Sequence, residues 1–400
     1  MKGKDDKFQD SRRKVWGTFL KDVLICSLGS YGGPEVHFGV FIDQMVIKKK
    51  YLTEKEFAEL IALTGILPGP SSTQTIVSIG YKFGGPYLAF LTLLVWAMPV
   101  IIIMTLLSFL GQFLEQINMS ENILRYIGPM AVGFIIIASI TIGKRVVTDK
   151  ITILLFIFGA VTTYIFRQSY VFPLVLISGG IISILTTKQE KLWNKVKIEP
   201  PWKYLIAFFG IMITSFILSY SLNNIIVTLF EKFYRFGYLV IGGGQVVIPF
   251  MHSELVEINK YMTNSEFLTG FGLVQGLPGP MFSFSAYAGG MASREGGVIL
   301  QLLGAAFSAI GIFLPGLLLI YFIYPVWDNL KEIKAIKISL KGITAVAAGL
   351  IFISSIILMQ ESGFSYDNIL VTVFTILILY TKKLPAPVIV LGVLILGFLI

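Results

Sequence analysis

Two short stretches of this sequence put hydrogen-bond donors inside apolar runs that would otherwise be continuous helix. In ILPGPSSTQ, Pro68, Gly69 and Pro70 are followed by Ser71, Ser72 and Thr73, and in GLPGPMFSFS, Pro278, Gly279 and Pro280 are followed by Ser283 and Ser285. Proline lacks an amide hydrogen and its ring collides with the preceding turn, so a helix ends near Pro70 and a new one begins there. The first turn of that new helix has N–H groups without intrahelical acceptors and carries the positive end of the helix dipole. Such amides, with three hydroxyls beside them, suit a small anion. The second copy offers the same chemistry through Ser283 and Ser285, although Met281 and Phe282 make it less polar. The bland alternative is a pair of simple kinks; recurrence in register favours the ligand reading.

Other residues carry chemistry of their own. Gly32 and Gly33 precede Pro34, and Gly242, Gly243 and Gly244 form a matching run. These glycines either line a path where substrate meets bare backbone or let helices pack closely. Glu35 and His37 follow the first glycine break. Ionisable groups at membrane depth are candidates for substrate contact or proton coupling, while Glu35 also suits a helix N-terminus. Lys82 and Arg294 lie beyond the two PGP motifs, as charges for a dianion or as interfacial residues reaching headgroups. His252 is expected at an interface.

The elements that position these residues belong to a membrane. The chain has 400 residues, is 55% hydrophobic and only 14% charged, and has a mean hydropathy of +0.80. Soluble domains carry roughly 25% charged residues and do not string together apolar runs of about 18 or more. This is an all-α polytopic membrane protein. The net charge of +9 resides in short loops beside apolar segments, which is a topology signal and not a nucleic-acid surface. One cysteine, Cys26, and two histidines leave too few ligands for a disulfide framework or a Cys/His structural zinc site. No GxxxxGK[ST], HExxH or GxSxG is present, so neither ATP-driven transport nor an intramembrane enzyme is expected, and no cofactor. The opening MKGKDDKFQDSRRKVWG lacks the order of a cleaved signal and is expected to be a cytoplasmic tail.

Spanning segments are expected at Tyr87–Leu110, Ile127–Gly143, Ile151–Phe166, Val171–Leu185, Tyr204–Tyr220, Val298–Tyr324, Ile338–Met359, Ile369–Tyr380 and Pro385–Ile400. The intervening Trp16–Gly80 and Thr228–Met291 are copies of each other. Aligning Pro68 with Pro278 sets an offset of 210 that also pairs Gly32-Gly33 with Gly242-Gly243, Lys50-Tyr51 with Lys260-Tyr261, Thr53 with Thr263 and Glu56-Phe57 with Glu266-Phe267. The organisation is therefore a tail at 1–15, a first membrane repeat at 16–186, a linker loop and connecting helix at 187–226, and a second membrane repeat at 227–400. Lysine and arginine mark cytoplasmic loops. GQFLEQINMSENILR after the span of the first repeat is mostly acidic, whereas YPVWDNLKEIKAIK after its counterpart is lysine-rich; GKRVVTDK is basic and QESGFSYDN acidic. The repeats are thus expected to be inverted, as in many secondary transporters. Lys48, Lys49 and Lys50 keep the middle of the first copy inside, so its helices should dip in and return, broken at the GGP and PGP motifs.

The stretch YGGPEVHFGVFIDQMVIKKKYLTEKEF followed by LPGPSSTQ, with the echo GGGQVVIPFM and FGLVQGLPGPMFSFSAYAGG, resembles the chromate ion transporter family in its long, two-repeat form, over essentially the whole chain. The resemblance implies a plasma-membrane carrier of oxyanions, usually assigned chromate efflux, with sulfate as a competitor because both are tetrahedral dianions. It carries Gln275 into the substrate site, since the family commonly has glutamine before PGP; the first copy departs with Gly65, which makes the half-sites unequal. Tyr31 stands where phenylalanine is usual. The remaining partners are the lipid bilayer, a proton or counter-anion as coupling ion, and a second copy in a homodimer. An anion channel, or a carrier of a different small anion, is the alternative.

Overall fold

The computed structural model describes residues 2–116, 121–166, 171–187, 189, 199–240, 244–331 and 333–399. Among them there is no strand. The first repeat opens with α1 (Lys2–Gly29) and α2 (Pro34–Phe41), which widens into a π-helical turn at Ile42–Lys48. It continues with α3 (Glu54–Thr64), α4 (Ser71–Leu107), α5 (Leu110–Gln116), α6 (Ile127–Val146), α7 (Lys150–Ile165) and α8 (Val171–Thr186). A connecting α9 (Trp202–Ser221) leads to α10 (Ile225–Leu239) and α11 (Ile248–His252), which runs into a second π-helical turn at Ser253–Ile258. Then come α12 (Asn264–Gln275), α13 (Phe284–Ala292), α14 (Gly297–Ile323), the short α15 (Trp327–Leu330), α16 (Lys334–Ser362), α17 (Tyr366–Thr381) and α18 (Ala386–Leu399).

Local sequence explains why the copies fold alike. Thr53 and Glu56 form a capping box at the start of α3, and Thr263 and Glu266 form the same box at the start of α12. Each cap is worth about 0.5–2 kcal/mol, and the two set the same entry angle twice. Lys50 and Lys260, three residues earlier in each copy, both adopt φ 52° to close the preceding turn. Gly84 and Gly85 leave helical geometry inside α4, separating a half-helix from a span that starts at Pro86; Gly297, with φ 82°, does the same between α13 and α14. Helices α4, α6, α9, α14 and α16 include segments long and apolar enough to cross a membrane, and α7, α8, α17 and α18 are shorter apolar helices. Every span expected from sequence falls on one of them to within three residues at its ends, apart from Ile400, which lies outside the described residues.

The repeats are inverted. The α4 span and α14 hold the same place in their repeats, yet they pack start to end: Gln301 Nε2 donates to the Ser108 carbonyl at 2.9 Å, and the Tyr321 hydroxyl donates to the Pro86 carbonyl. Ion pairs sort the loops into the two groups that charge alone suggested. Lys331 reaches Glu59 at 3.9 Å, Lys341 meets Asp149 at 2.5 Å and Lys82 meets Glu56 at 2.6 Å, all among loops expected inside. Arg125 meets Asp367 at 2.5 Å and Arg294 meets Glu266 at 2.7 Å, among loops expected outside. Exposed pairs add only about 0.2–1 kcal/mol each; their value here is in showing which loops share a face. Away from the breaks, α16 packs on α6, α7 and α8. Small residues allow the approach, since a Cβ at Gly349 would strike the Phe156 carbonyl and one at Gly342 that of Gly179.

The single native cysteine is buried, which makes sidedness measurable. In Lys55→Cys and Glu295→Cys variants, a membrane-impermeant maleimide should label the two positions from opposite faces of sealed vesicles. Labelling of both from one face would contradict the inverted arrangement.

Candidate functional site

The two PGP breaks are tied to the opposite repeat by one matched pair of backbone bonds. Gly69 N–H donates to the Val240 carbonyl at 2.7 Å, and Gly279 N–H donates to the Ser30 carbonyl at 2.7 Å. Ser30 and Val240 are themselves equivalent under the 210-residue offset, so each PGP glycine binds the residue leading into the glycine break of the other copy. Gly69 has φ 127° and Gly279 φ 113°, a region closed to residues with a Cβ. Space closes it as well: a Cβ on Gly69 would lie 2.6 Å from Gln74 Nε2 and 3.3 Å from Gly316 Cα, and one on Gly279 would lie 2.9 Å from Val100 Cγ1.

Helical segments begin from these glycines. Pro70 precedes α4 without any side-chain cap, and Gln74 N–H closes the first turn on the Pro70 carbonyl at 2.9 Å. The amides of Ser71, Ser72 and Thr73 therefore have no intrahelical acceptor. Around them a buried network forms: Ser72 Oγ lies 2.9 Å from His37 Nδ1, Trp96 Nε1 donates to Thr73 Oγ1 at 3.1 Å, and Ser27 Oγ donates to the Trp96 carbonyl at 2.7 Å. In the second copy Pro280 precedes a tight turn at Met281–Ser283 that leads into α13, again without a side-chain cap.

Around these breaks lie buried polar atoms without partners. They are Ser30 Oγ, His37 Nε2, Gln74 Oε1, Gln245 Oε1, Gln275 Nε2, Ser283 Oγ and Ser285 Oγ. Leaving one buried polar group unsatisfied costs about 1–3 kcal/mol, so a cluster of them asks for a binding partner. The serine hydroxyls, the Gln275 carboxamide NH2 and the half-helix amides are donors, whereas Gln74 Oε1 and Gln245 Oε1 only accept. Such dipoles bind an anion without a fixed opposite charge to trap it.

Sequence candidates divide by location. His37, Ser72, Thr73, Gln275, Ser283 and Ser285 join the PGP glycines and prolines in these buried networks or among the unpartnered groups. Gly32 and Gly33 continue from Ser30, and a Cβ on Gly33 would meet open space. Gly244 opens a short 3-10 turn; Gly242, Gly243 and the side chain of Glu35 lie outside the described residues. Lys82 and Arg294 are elsewhere. Lys82 is eleven residues along α4 from Ser71, about 16 Å at ~1.5 Å per residue, and both cations are held by the capping-box glutamates. The second half-site, expected to be the less polar, holds three unpartnered groups in Gln275, Ser283 and Ser285, whereas in the first His37 engages Ser72 and Trp96 engages Thr73. Gln74, Gln245, Ser30 and Trp96 were not singled out as site residues. Gln74 closes the first PGP motif and Gln245 is the offset partner of Glu35, so both were signalled; the Trp96 contact was not.

The sequence model of the family described as Chromate transporter matches residues 17–184 and again 227–398. An uncharacterized transporter of Methanocaldococcus jannaschii is 25% identical over 399 residues, covering 98% of this chain and 94% of that protein. A chromate transport protein of Cupriavidus metallidurans is 25% identical over 374 residues, covering 92% and 88%, and one of Pseudomonas aeruginosa is 23% identical over 364 residues, covering 88% and 82%. No solved structure matches.

Replacing Gly69 or Gly279 by alanine should lower the thermal unfolding temperature of the purified protein, because the left-handed backbone alone costs about 1–2 kcal/mol before any overlap is relieved. Gly210→Ala, where a Cβ meets nothing within 4 Å, should leave it unchanged. Equal behaviour of all three would contradict the constraint assigned to the breaks.

Proposed function

The chain belongs to the chromate transporter family, and on that footing we propose that it is a secondary active transporter carrying chromate, or a related tetrahedral dianion such as sulfate, out across the plasma membrane with its N-terminus inside. The observation that carries this reading is the set of unpartnered buried polar atoms beside the two PGP breaks, each break bonded to the opposite repeat. The anion sheds part of its hydration and docks between Pro70–Thr73 and Pro280–Ser285. Amides of the α4 first turn, the hydroxyls of Ser283 and Ser285 and the Gln275 carboxamide replace the lost water. Because the repeats are inverted, rocking one against the other alternates access around a fixed site. His37 supplies coupling: its Nδ1 contacts Ser72 and its Nε2 has no partner, so a proton taken up there adds positive charge and a second donor beside the anion. Proton and anion binding then favour each other.

The direct test is flux of labelled chromate and sulfate into liposomes holding the purified protein, with imposed pH and counter-anion gradients. Saturable, gradient-dependent chromate flux with competition by sulfate is expected. Flux that rises without saturation would make the protein a channel, and sulfate flux without chromate would replace the substrate. The Ser283→Ala/Ser285→Ala double variant should weaken apparent affinity by at least about tenfold, since hydrogen bonds to a charged group contribute about 1.5–3 kcal/mol each; unchanged affinity removes the second half-site from the account. His37→Gln should retain anion binding and lose the dependence of flux on the pH gradient.

A further inference from the structure

Away from the helix breaks, a second polar cluster forms where the broken helix of the second repeat meets α16. His252, at the end of α11, is 3% exposed. Its Nε2 lies 3.0 Å from Glu361 Oε2 and 2.9 Å from Asn264 Oδ1, and its Nδ1 lies 3.9 Å from Glu257 Oε1. One imidazole nitrogen and one carboxylate oxygen from each glutamate fall within 4.8 Å of one another. A small cavity adjoins them, lined by His252, Ser253 and Glu257 together with Thr163 of α7 and Ser354 of α16. Thr163 is also 3% exposed, and its hydroxyl has no partner.

We propose that this cluster binds a divalent transition-metal cation, with His252, Glu257 and Glu361 as ligands and the Asn264 carbonyl or a water completing the shell. Metal–ligand bonds of about 2.0–2.2 Å place tetrahedral ligand atoms about 3.3–3.6 Å apart; one nitrogen of His252 and one oxygen of each glutamate already lie within 4.8 Å of one another, so small side-chain rotations bring them to that spacing around a single ring nitrogen. The mixed nitrogen and oxygen donors favour a first-row cation such as Zn2+ over Ca2+ or Mg2+, which prefer oxygen alone. A dication held by one imidazole and two carboxylates is matched in charge by its own ligands. The first repeat has no equivalent, because the offset places Ile42, Ile47 and Glu54 opposite His252, Glu257 and Asn264. It therefore exists in one copy only.

Full-length protein, purified and stripped with a chelator, is titrated with Zn2+ by calorimetry, with metal content read by elemental analysis. One Zn2+ per chain is expected, bound more than about tenfold more weakly by Glu361→Gln and by Glu257→Gln, while Glu56→Gln, at a loop of the other group, binds as the wild type does. Zn2+ should also raise the unfolding temperature of the wild type and raise it less in Glu361→Gln, a comparison that keeps the test valid if the variant is less stable. Wild-type Zn2+ affinity in both glutamine variants, or no bound Zn2+ in the wild type, overturns the site.

Discussion

The reciprocal pair of backbone bonds, Gly69 N–H to Val240 and Gly279 N–H to Ser30, is the constraint on which the rest of this structure depends. A chain that interrupts helices inside a membrane must satisfy the freed amides and carbonyls, because each one left exposed to hydrocarbon costs several kcal/mol. Here the breaks satisfy each other. A break in one repeat is completed only by a break in the other, so neither copy closes its own site. The glycines fit this arrangement: the PGP backbone takes an angle that only glycine adopts without strain, and a Cβ would strike Gln74 and Gly316 at one break and Val100 at the other.

Once the breaks are fixed, the polarity around them becomes intelligible. The backbone is satisfied across the repeats, yet side chains including Gln275, Ser283 and Ser285 are buried without partners. Stability alone would not maintain such a cluster; a ligand that arrives and leaves would. The absence of lysine or arginine among these groups fits the proposed role of a carrier. A dianion held by dipoles is bound without being trapped, whereas the charged side chains of Lys82 and Arg294 are spent on loop ion pairs.

Much of this was legible in the sequence. The 210-residue offset, the inverted charge of paired loops and the breaks at GGP and PGP follow from local rules of proline, glycine and membrane topology. The Thr53 and Thr263 capping boxes obey the same rules. Less legible were contacts set by tertiary approach. Nothing local to Val240 marks it as an acceptor for Gly69, and nothing around Trp96 announces a bond to Thr73. Charge at Lys82 and Arg294 left a substrate role and an interfacial role both open, because sequence does not show that Glu56 and Glu266 lie within reach. Met281 and Phe282 made the second half-site look apolar, although these side chains sit beside the serines without filling their hydrogen bonds.

The central claim is that an oxyanion sits where the two repeats cross. Crystals of the protein grown with chromate, with anomalous diffraction collected at the chromium edge, would locate the bound metal atom directly. The account predicts a single buried chromium peak between Pro70–Thr73 and Pro280–Ser285. A buried peak elsewhere in the protein, with that crossing empty, would contradict it.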